Sequence, residues 1–251
     1  MRISTASLVA GLLAGAITIS AAPQTPAAPS PQRAPAVEKL PDGTFRLGSI
    51  HVDTAKREIS VDGVVNGNVT TLEFVACTDG GLKAYESALT LHTTGVAFNT
   101  ALLLIGLDPS HAKAPRMHFD PHPPEGDPVE IWVQWDDPAK RGMPADTKRM
   151  RIEQLLFDRR TNQTLPEGPW VYTGSSFVPD NHPDVPPHYA ADLDGVLIGF
   201  VHSPSPVIEN PRPGAVNAYG AVILNPKAGL AAGTPVVVTV KAVDRSPRET
   251  R

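Results

Sequence analysis

The chain has a single cysteine, Cys77, in 251 residues. One thiol cannot close an internal disulfide, so the fold cannot depend on a bridge even in an oxidising compartment. Nor can it supply the roughly four cysteine ligands of an iron–sulfur cluster, and no such cluster is expected. Aromatic residues are sparse, at 6% of the chain, and the 22 lysines and arginines are scattered and outnumbered by 26 acidic residues. With no basic stripe interleaved with rings, nucleic acid is not an expected partner, and neither is an anionic lipid surface. Beyond the N-terminus no apolar run approaches the roughly twenty residues of a membrane span; the longest, Ala101 to Leu107, is about a third of that. Stable membrane insertion is therefore not expected.

The start of the chain reads as an address. Arg2 gives a positive beginning, Leu8 to Ile19 form a short apolar run, and Ser20-Ala21-Ala22 offers small residues for cleavage. This pattern predicts a secretory signal peptide over 1–22, cleaved near residue 22, and hence a periplasmic or extracellular protein. No cysteine lies near that point, which excludes a lipid-anchored form. Residues 23–44 are rich in Pro and Ala without hydrophobic period and read as a disordered linker. Residues 45–243 are then long enough for one domain with its own core, and 244–251 read as a frayed tail.

Inside the domain the pattern is strand-like. In "VEIWVQWD", Val129, Ile131, Val133 and Trp135 share one face, opposite Glu130, Trp132, Gln134 and Asp136. "REISVDGVV" and "YAADLDGVLIGF" each carry an Asp-Gly pair, Asp62-Gly63 and Asp194-Gly195, the strongest short hairpin signal. "TPVVVTVKAV" makes a closing strand, with Pro235 near its start, where proline is tolerated. One helix is predicted around 96–106. Thr94 or Gly95 begins it, Gly106 ends it and Pro109 blocks its continuation, with Leu103 and Leu104 widening the apolar face. The expected architecture is mainly antiparallel β, a sandwich or partly closed barrel with that one buried helix.

The residues able to carry chemistry fall in three places. Around Cys77, a hairpin across Thr78–Lys83 would set the thiol opposite Ala84 with Glu86 diagonal to it, about 7 Å away. A carboxylate neighbour disfavours the thiolate, so Cys77 reads as a half-buried thiol, not a nucleophile. Gly80-Gly81 reads as the turn of that hairpin, and Ser87 lacks the Gly-x-Ser-x-Gly surroundings of a nucleophile elbow. In the proline-rich segment 108–128, His118, Asp120 and His122 are metal-ligand types at short spacing, with Glu125, Asp127 and His111 as further donors. A second such segment, 178–189, adds His182 and His188. Trp132, on the polar side of its strand, is a candidate binding aromatic.

The runs "LEFVACTDGGLKAYES", "ALLLIGL", "WVYTGSSF" and "YAADLDGVLIGF", in this order over about residues 48–242, resemble the YdjY-like domain family of exported or periplasmic bacterial proteins. The motif residues are Glu73, Cys77, Gly80, Gly81, Lys83, Glu86 and Ser87, with no role assigned. Here Tyr85 occupies the place of a histidine in the family's Lys–His–Glu–Ser pattern. The resemblance brings no catalytic set with it. The expected function is a non-enzymatic cell-envelope module that binds a protein or small ligand without a cofactor. The alternative is a metal-binding protein or metal-dependent enzyme using the His/Asp-rich loop 111–127.

Overall fold

The computed structural model describes residues 35–67, 69, 71–136, 147–213, 215, 217 and 219–245. The expected signal peptide and most of the expected linker lie outside the described residues. So do residues 246–251 of the tail. The chain divides into two units, residues 1–32 and 33–251, and all that follows concerns the second.

In chain order its elements are β1 (Val37–Lys39), β2 (Phe45–Leu47), β3 (Ile50–Asp53), β4 (Glu58–Val65), β5 (Phe74–Thr78), β6 (Ser87–Leu91) and helix α1 (Gly95–Leu104). Then come β7 (Asp127–Asp136), β8 (Thr147–Arg151), α2 (Ile152–Leu155), β9 (Leu156–Asp158), β10 (Gln163–Thr164), β11 (Trp170–Tyr172), β12 (Phe177–Val178) and β13 (His188–Tyr189). The last are α3 (Ala190–Asp194), β14 (Val196–Gly199), β15 (Ile208–Glu209), β16 (Val222–Leu224) and β17 (Pro235–Ala242). Among the described residues eight strands close a barrel in the order β4-β17-β7-β11-β15-β14-β5-β6, and β6 returns to β4. Closure removes the exposed edges that an open sheet must protect. Among the described residues no helix is long and apolar enough to cross a membrane.

Long strands make closure work by dividing an edge between two neighbours. On one edge of β4, β3 takes Glu58–Ser60 and β6 takes Gly63–Val65, while β17 runs along the other edge. Asp62-Gly63, expected as a hairpin turn, therefore lies inside a strand. Ile59, Val61, Gly63 and Val65 are buried and Asp62 is exposed, an unbroken alternation. A side chain at Gly63 would collide with the Thr90 carbonyl and with Leu91, so the glycine marks the close approach of β6. The pair that does turn a hairpin is Asp42-Gly43, inside the expected linker. Gly43 sits at φ +87°, the Asp42 carboxylate accepts from Thr44 N at 3.0 Å, and β1 pairs with β2. Ordered strand thus begins at Val37, because the turn gives those residues a partner.

The expected hairpin across Thr78–Lys83 is replaced by a parallel pair. β5 and β6 run the same way, with Cys77 beside Thr90 and Ala76 beside Leu89, not opposite Ala84. Residues 79–86 carry the chain back, ending in a turn of 3₁₀ helix at Ala84–Glu86. All of β5 and most of β6 are buried, as expected of parallel strands covered on both faces. Asp194-Gly195 is likewise no hairpin: Gly195, at φ +70°, ends α3. A Cβ on Gly195 would strike the Cα of Gly81, so these two glycines are the contact between the crossover and α3.

Helix α1 starts where expected. Thr94 Oγ1 accepts from Ala97 N at 3.2 Å, and the Asp192 carboxylate from α3 takes Gly95 N at 2.6 Å. Phe98, Ala101, Leu102 and Ile105 enter the core. Leu103 and Leu104 do not widen that face but point outward.

A Gly63→Ala change is expected to lower stability by about 2 kcal/mol or more, since backbone, not a flexible side chain, must move. Urea unfolding of the variant measures this; a change within 0.5 kcal/mol, the size of a neutral surface substitution, would remove Gly63 from its role in closure.

Candidate functional site

At the end of the barrel where β5 begins and β14 finishes, the chain gathers a polar and aromatic cluster. Glu73 stands just before β5. Its N–H donates to Glu86 O, and its carbonyl accepts from Phe200 N and Val201 N, each at 3.0 Å. That backbone clamp leaves its carboxyl group buried, with Oε2 making no hydrogen bond and facing His118 Nε2 at 3.4 Å. Burial and the nearby Glu86 charge push the Glu73 pKa up, against the opposing pull of His118 and Lys83.

The parallel crossover supplies the next side chains. Lys83 Nζ lies 3.2 Å from Glu86 Oε2, above the rings of Tyr85 at 5.7 Å and Phe74 at 6.0 Å. Partial burial works against the Lys83 charge, but the Glu86 hydrogen bond and charge raise its pKa overall. Ser87 is no nucleophile: its buried hydroxyl donates to Lys83 O at 2.8 Å and fixes the turn. Asn66 reinforces it, donating to Ser87 O at 2.9 Å and Ala84 O at 3.2 Å.

His118 arrives from the proline-rich segment. Its ring lies 4.0 Å from that of Phe119, which in turn meets Tyr219 edge-on at 5.1 Å. Phe119 holds φ +60°, a left-handed conformation costly for a bulky residue and typical of functional sites. Two anchors sustain it. Buried His202 takes Phe119 N on its carbonyl at 2.8 Å and sets Nδ1 2.7 Å from Asp120 O. The Asp120 carboxylate accepts from Arg116 N and His122 N, which holds its pKa well below the usual range. Tyr85, beside Lys83, and Tyr219, beside Phe119, are 60% and 48% exposed, so two rings of the cluster face solvent. The Glu73 charge pushes the Tyr219 phenol pKa up.

The structure divides the expected metal ligands among separate carboxylates. His118 goes to Glu73, His122 pairs with Asp120 at 2.9 Å, His111 with Asp127 at 2.8 Å, and His188 with Asp180 at 2.6 Å. Among the described residues no group of three or more His, Cys, Asp or Glu is placed to hold a metal ion. Of the motif residues, Glu73, Lys83, Glu86 and Ser87 meet at the cluster. Cys77 is fully buried, its Sγ 3.5 Å from Leu89 O, and Gly80-Gly81 lie at the far turn of the crossover. Trp132 is stacked by the guanidiniums of Arg149 at 4.6 Å and Arg151 at 5.4 Å. Sequence reasoning missed Phe119, His202, Glu209 and Tyr219, none of which carries a local signal.

Glu209 lies under this end of the barrel. It is fully buried, its Oε1 accepts from Ser203 N at 3.0 Å, and its Oε2 has no partner. Gly199 leaves room for the carboxyl group, which a Cβ there would strike.

These features define a closed β-barrel with a polar, ring-flanked site at one end. The chain belongs to the YdjY domain family, whose model matches residues 50–241. No curated protein and no solved structure matches the chain.

Burial pushes the Glu209 pKa well above the ordinary carboxylate value, and the hydrogen bonds from Ser203 and Asn210 offset this only in part. A carboxyl group raised in the folded state favours folding below its unfolded pKa of about 4.3. That contribution is lost as pH rises through the folded value. Glu209→Gln mimics the neutral form, so its melting temperature relative to wild type should climb from pH 5 to pH 8. A difference that stays flat over this range would count against a neutral Glu209.

Proposed function

We propose that the protein is an exported, non-enzymatic binding module of the cell envelope, and that the Glu73–Lys83–Glu86–His118 cluster receives its ligand. The observation that carries this reading is Glu73 Oε2, a buried oxygen with no hydrogen-bond partner, in a cluster whose Tyr85 and Tyr219 are exposed. Such an atom is costly unless something satisfies it. A ligand hydroxyl does so whether the carboxyl group is ionised or neutral, because a hydroxyl both donates and accepts.

The ligand chemistry follows from the surrounding groups. Lys83 donates, Glu86 accepts, and Tyr85 and Tyr219 offer flat apolar faces with polar tips. A hydroxyl-rich ligand with C–H faces, in other words a carbohydrate, matches this mixture. The separated His–carboxylate pairs give no comparable support to a metal-dependent reading.

Soluble cell-wall glycan fragments titrated calorimetrically into the protein provide the test. Lys83→Ala and Tyr85→Ala each change a side chain at the site's rim and should weaken binding about tenfold, the size of one charge-assisted hydrogen bond or aromatic contact. Unchanged affinity in both variants would move the ligand elsewhere. Turnover of the bound glycan that disappears in Glu73→Gln would show an enzyme instead of a binding module.

A further inference from the structure

A second site lies away from the Glu73 cluster, where the two proline-rich stretches meet over the outer side of α1. Pro109, Ala112 and Ala114 from the first stretch face Phe177 and Tyr189, which bracket the second. Between them is a cavity of about 380 Å³, at the small end of the range of ligand pockets.

Three properties of its lining restrict what fits. First, no Asp, Glu, Lys, Arg or His lines it. Its two tyrosines are held neutral: burial pushes Tyr172 up to about 12, and Tyr189 is pushed up further for the same reason. A charged ligand would lose its hydration here with no compensating partner. Second, the apolar side is ring-rich and open to solvent. Leu103 on α1 and Phe177 are 41% and 69% exposed beside Tyr172, Tyr189 and Pro109. Third, one polar group is oriented and unused. The Tyr172 hydroxyl donates to Asn99 Oδ1 at 2.7 Å, which leaves Asn99 Nδ2 as a donor with no partner among the described residues.

Another wall of the cavity, Gly174 and Ser175, carries a conformational cost at Ser175. Gly174 and Ser175 both hold left-handed φ, +75° and +64°. Tyr189 keeps them there by donating to Gly174 O at 2.9 Å, and Ser175 Oγ accepts from Ala191 N at 3.1 Å while donating to Ser205 O. Strain of this kind persists only where the surroundings over-determine it, and it clusters at binding sites.

We propose that this cavity binds a small, neutral, ring-bearing molecule with one hydrogen-bond acceptor. The ring packs against Leu103, Phe177 and Tyr189, and the acceptor takes Asn99 Nδ2. The site is independent of the glycan reading of the Glu73 cluster and stands or falls separately.

Acetophenone, a neutral ring with one ketone oxygen, is the probe. Benzoate tests charge and ethylbenzene tests the acceptor. Each is titrated into the ¹⁵N-labelled full chain while the Asn99 side-chain amide and the backbone amides of Ser175, Phe177 and Tyr189 are followed. Acetophenone should give saturable shifts at these four positions with a dissociation constant of about 1 mM or below, reasonable for so small a ligand. Benzoate and ethylbenzene should each bind about tenfold more weakly or worse, a loss of about 1.4 kcal/mol. Leu103→Asp and Phe177→Ser alter exposed side chains, should melt like wild type, and should lose acetophenone binding. The proposal is overturned by an absence of saturable shifts, by benzoate binding as tightly as acetophenone, or by wild-type affinity in both variants.

Discussion

Barrel closure at the β4–β6 seam is the constraint from which the rest of the structure follows. β4 pairs with β6 over Gly63–Val65, while β3 occupies Glu58–Ser60 of the same edge. Gly63 permits the approach by having no side chain to collide with Thr90 and Leu91. Once β6 is held there, β5 beside it must run parallel, and the crossover 79–86 must bring the chain back to the barrel end where Glu73 stands. Lys83, Glu86 and Ser87 reach Glu73 for that reason. They are remote from it along an extended strand pair, yet adjacent after the return.

Buried carboxyl groups are handled in three ways, and the contrast shows where the molecule holds chemistry in reserve. Glu153 is fully buried and neutralised, with Arg151 at 3.1 Å and Arg212 at 3.0 Å. Asp120 is satisfied by backbone N–H groups and serves to shape the loop that presents His118. Glu73 and Glu209 each keep an oxygen without a hydrogen bond. Glu209 has no cation beside it among the described residues, and its burial beneath the site pushes its pKa well above the ordinary carboxylate value. Glu73 lies at the rim, within reach of His118 and of solvent-facing rings. A group that is both buried and incompletely satisfied is the arrangement a ligand would complete.

Much of the fold was legible in residue patterns. The alternation of β7 and β17 sorted inside from outside correctly, with Trp135 buried and Trp132 not. Thr94, Gly106 and Pro109 delimited α1 because caps and breakers act within a turn or two of where they stand. Turn signals did less well, since Asp-Gly is permissive of several conformations. Asp42-Gly43 turns a hairpin, Asp62-Gly63 continues a strand, and Asp194-Gly195 ends a helix. In each case the outcome depended on what packed against the glycine: solvent, β6, or Gly81. The parallel β5–β6 pair had a faint signal in "LEFVACT", where both faces are largely apolar, but short apolar runs do not reveal strand direction.

The sequence by itself determined the β class, the single long helix and its ends, the membership of its motifs in one family, and, with one cysteine, that no disulfide closes within these 251 residues. These follow from local sterics, periodicity and the count of one residue type. Only the tertiary structure decided that Cys77 is buried apart from the cluster and that Glu73, Lys83 and Glu86 share one barrel end. It also set His111, His118, His122 and His188 each against a separate carboxylate, and joined the two proline-rich stretches over a neutral cavity. These outcomes rest on strand order, barrel closure and loop anchoring by His202 and Asp120, contacts between residues far apart in the chain that no local pattern encodes.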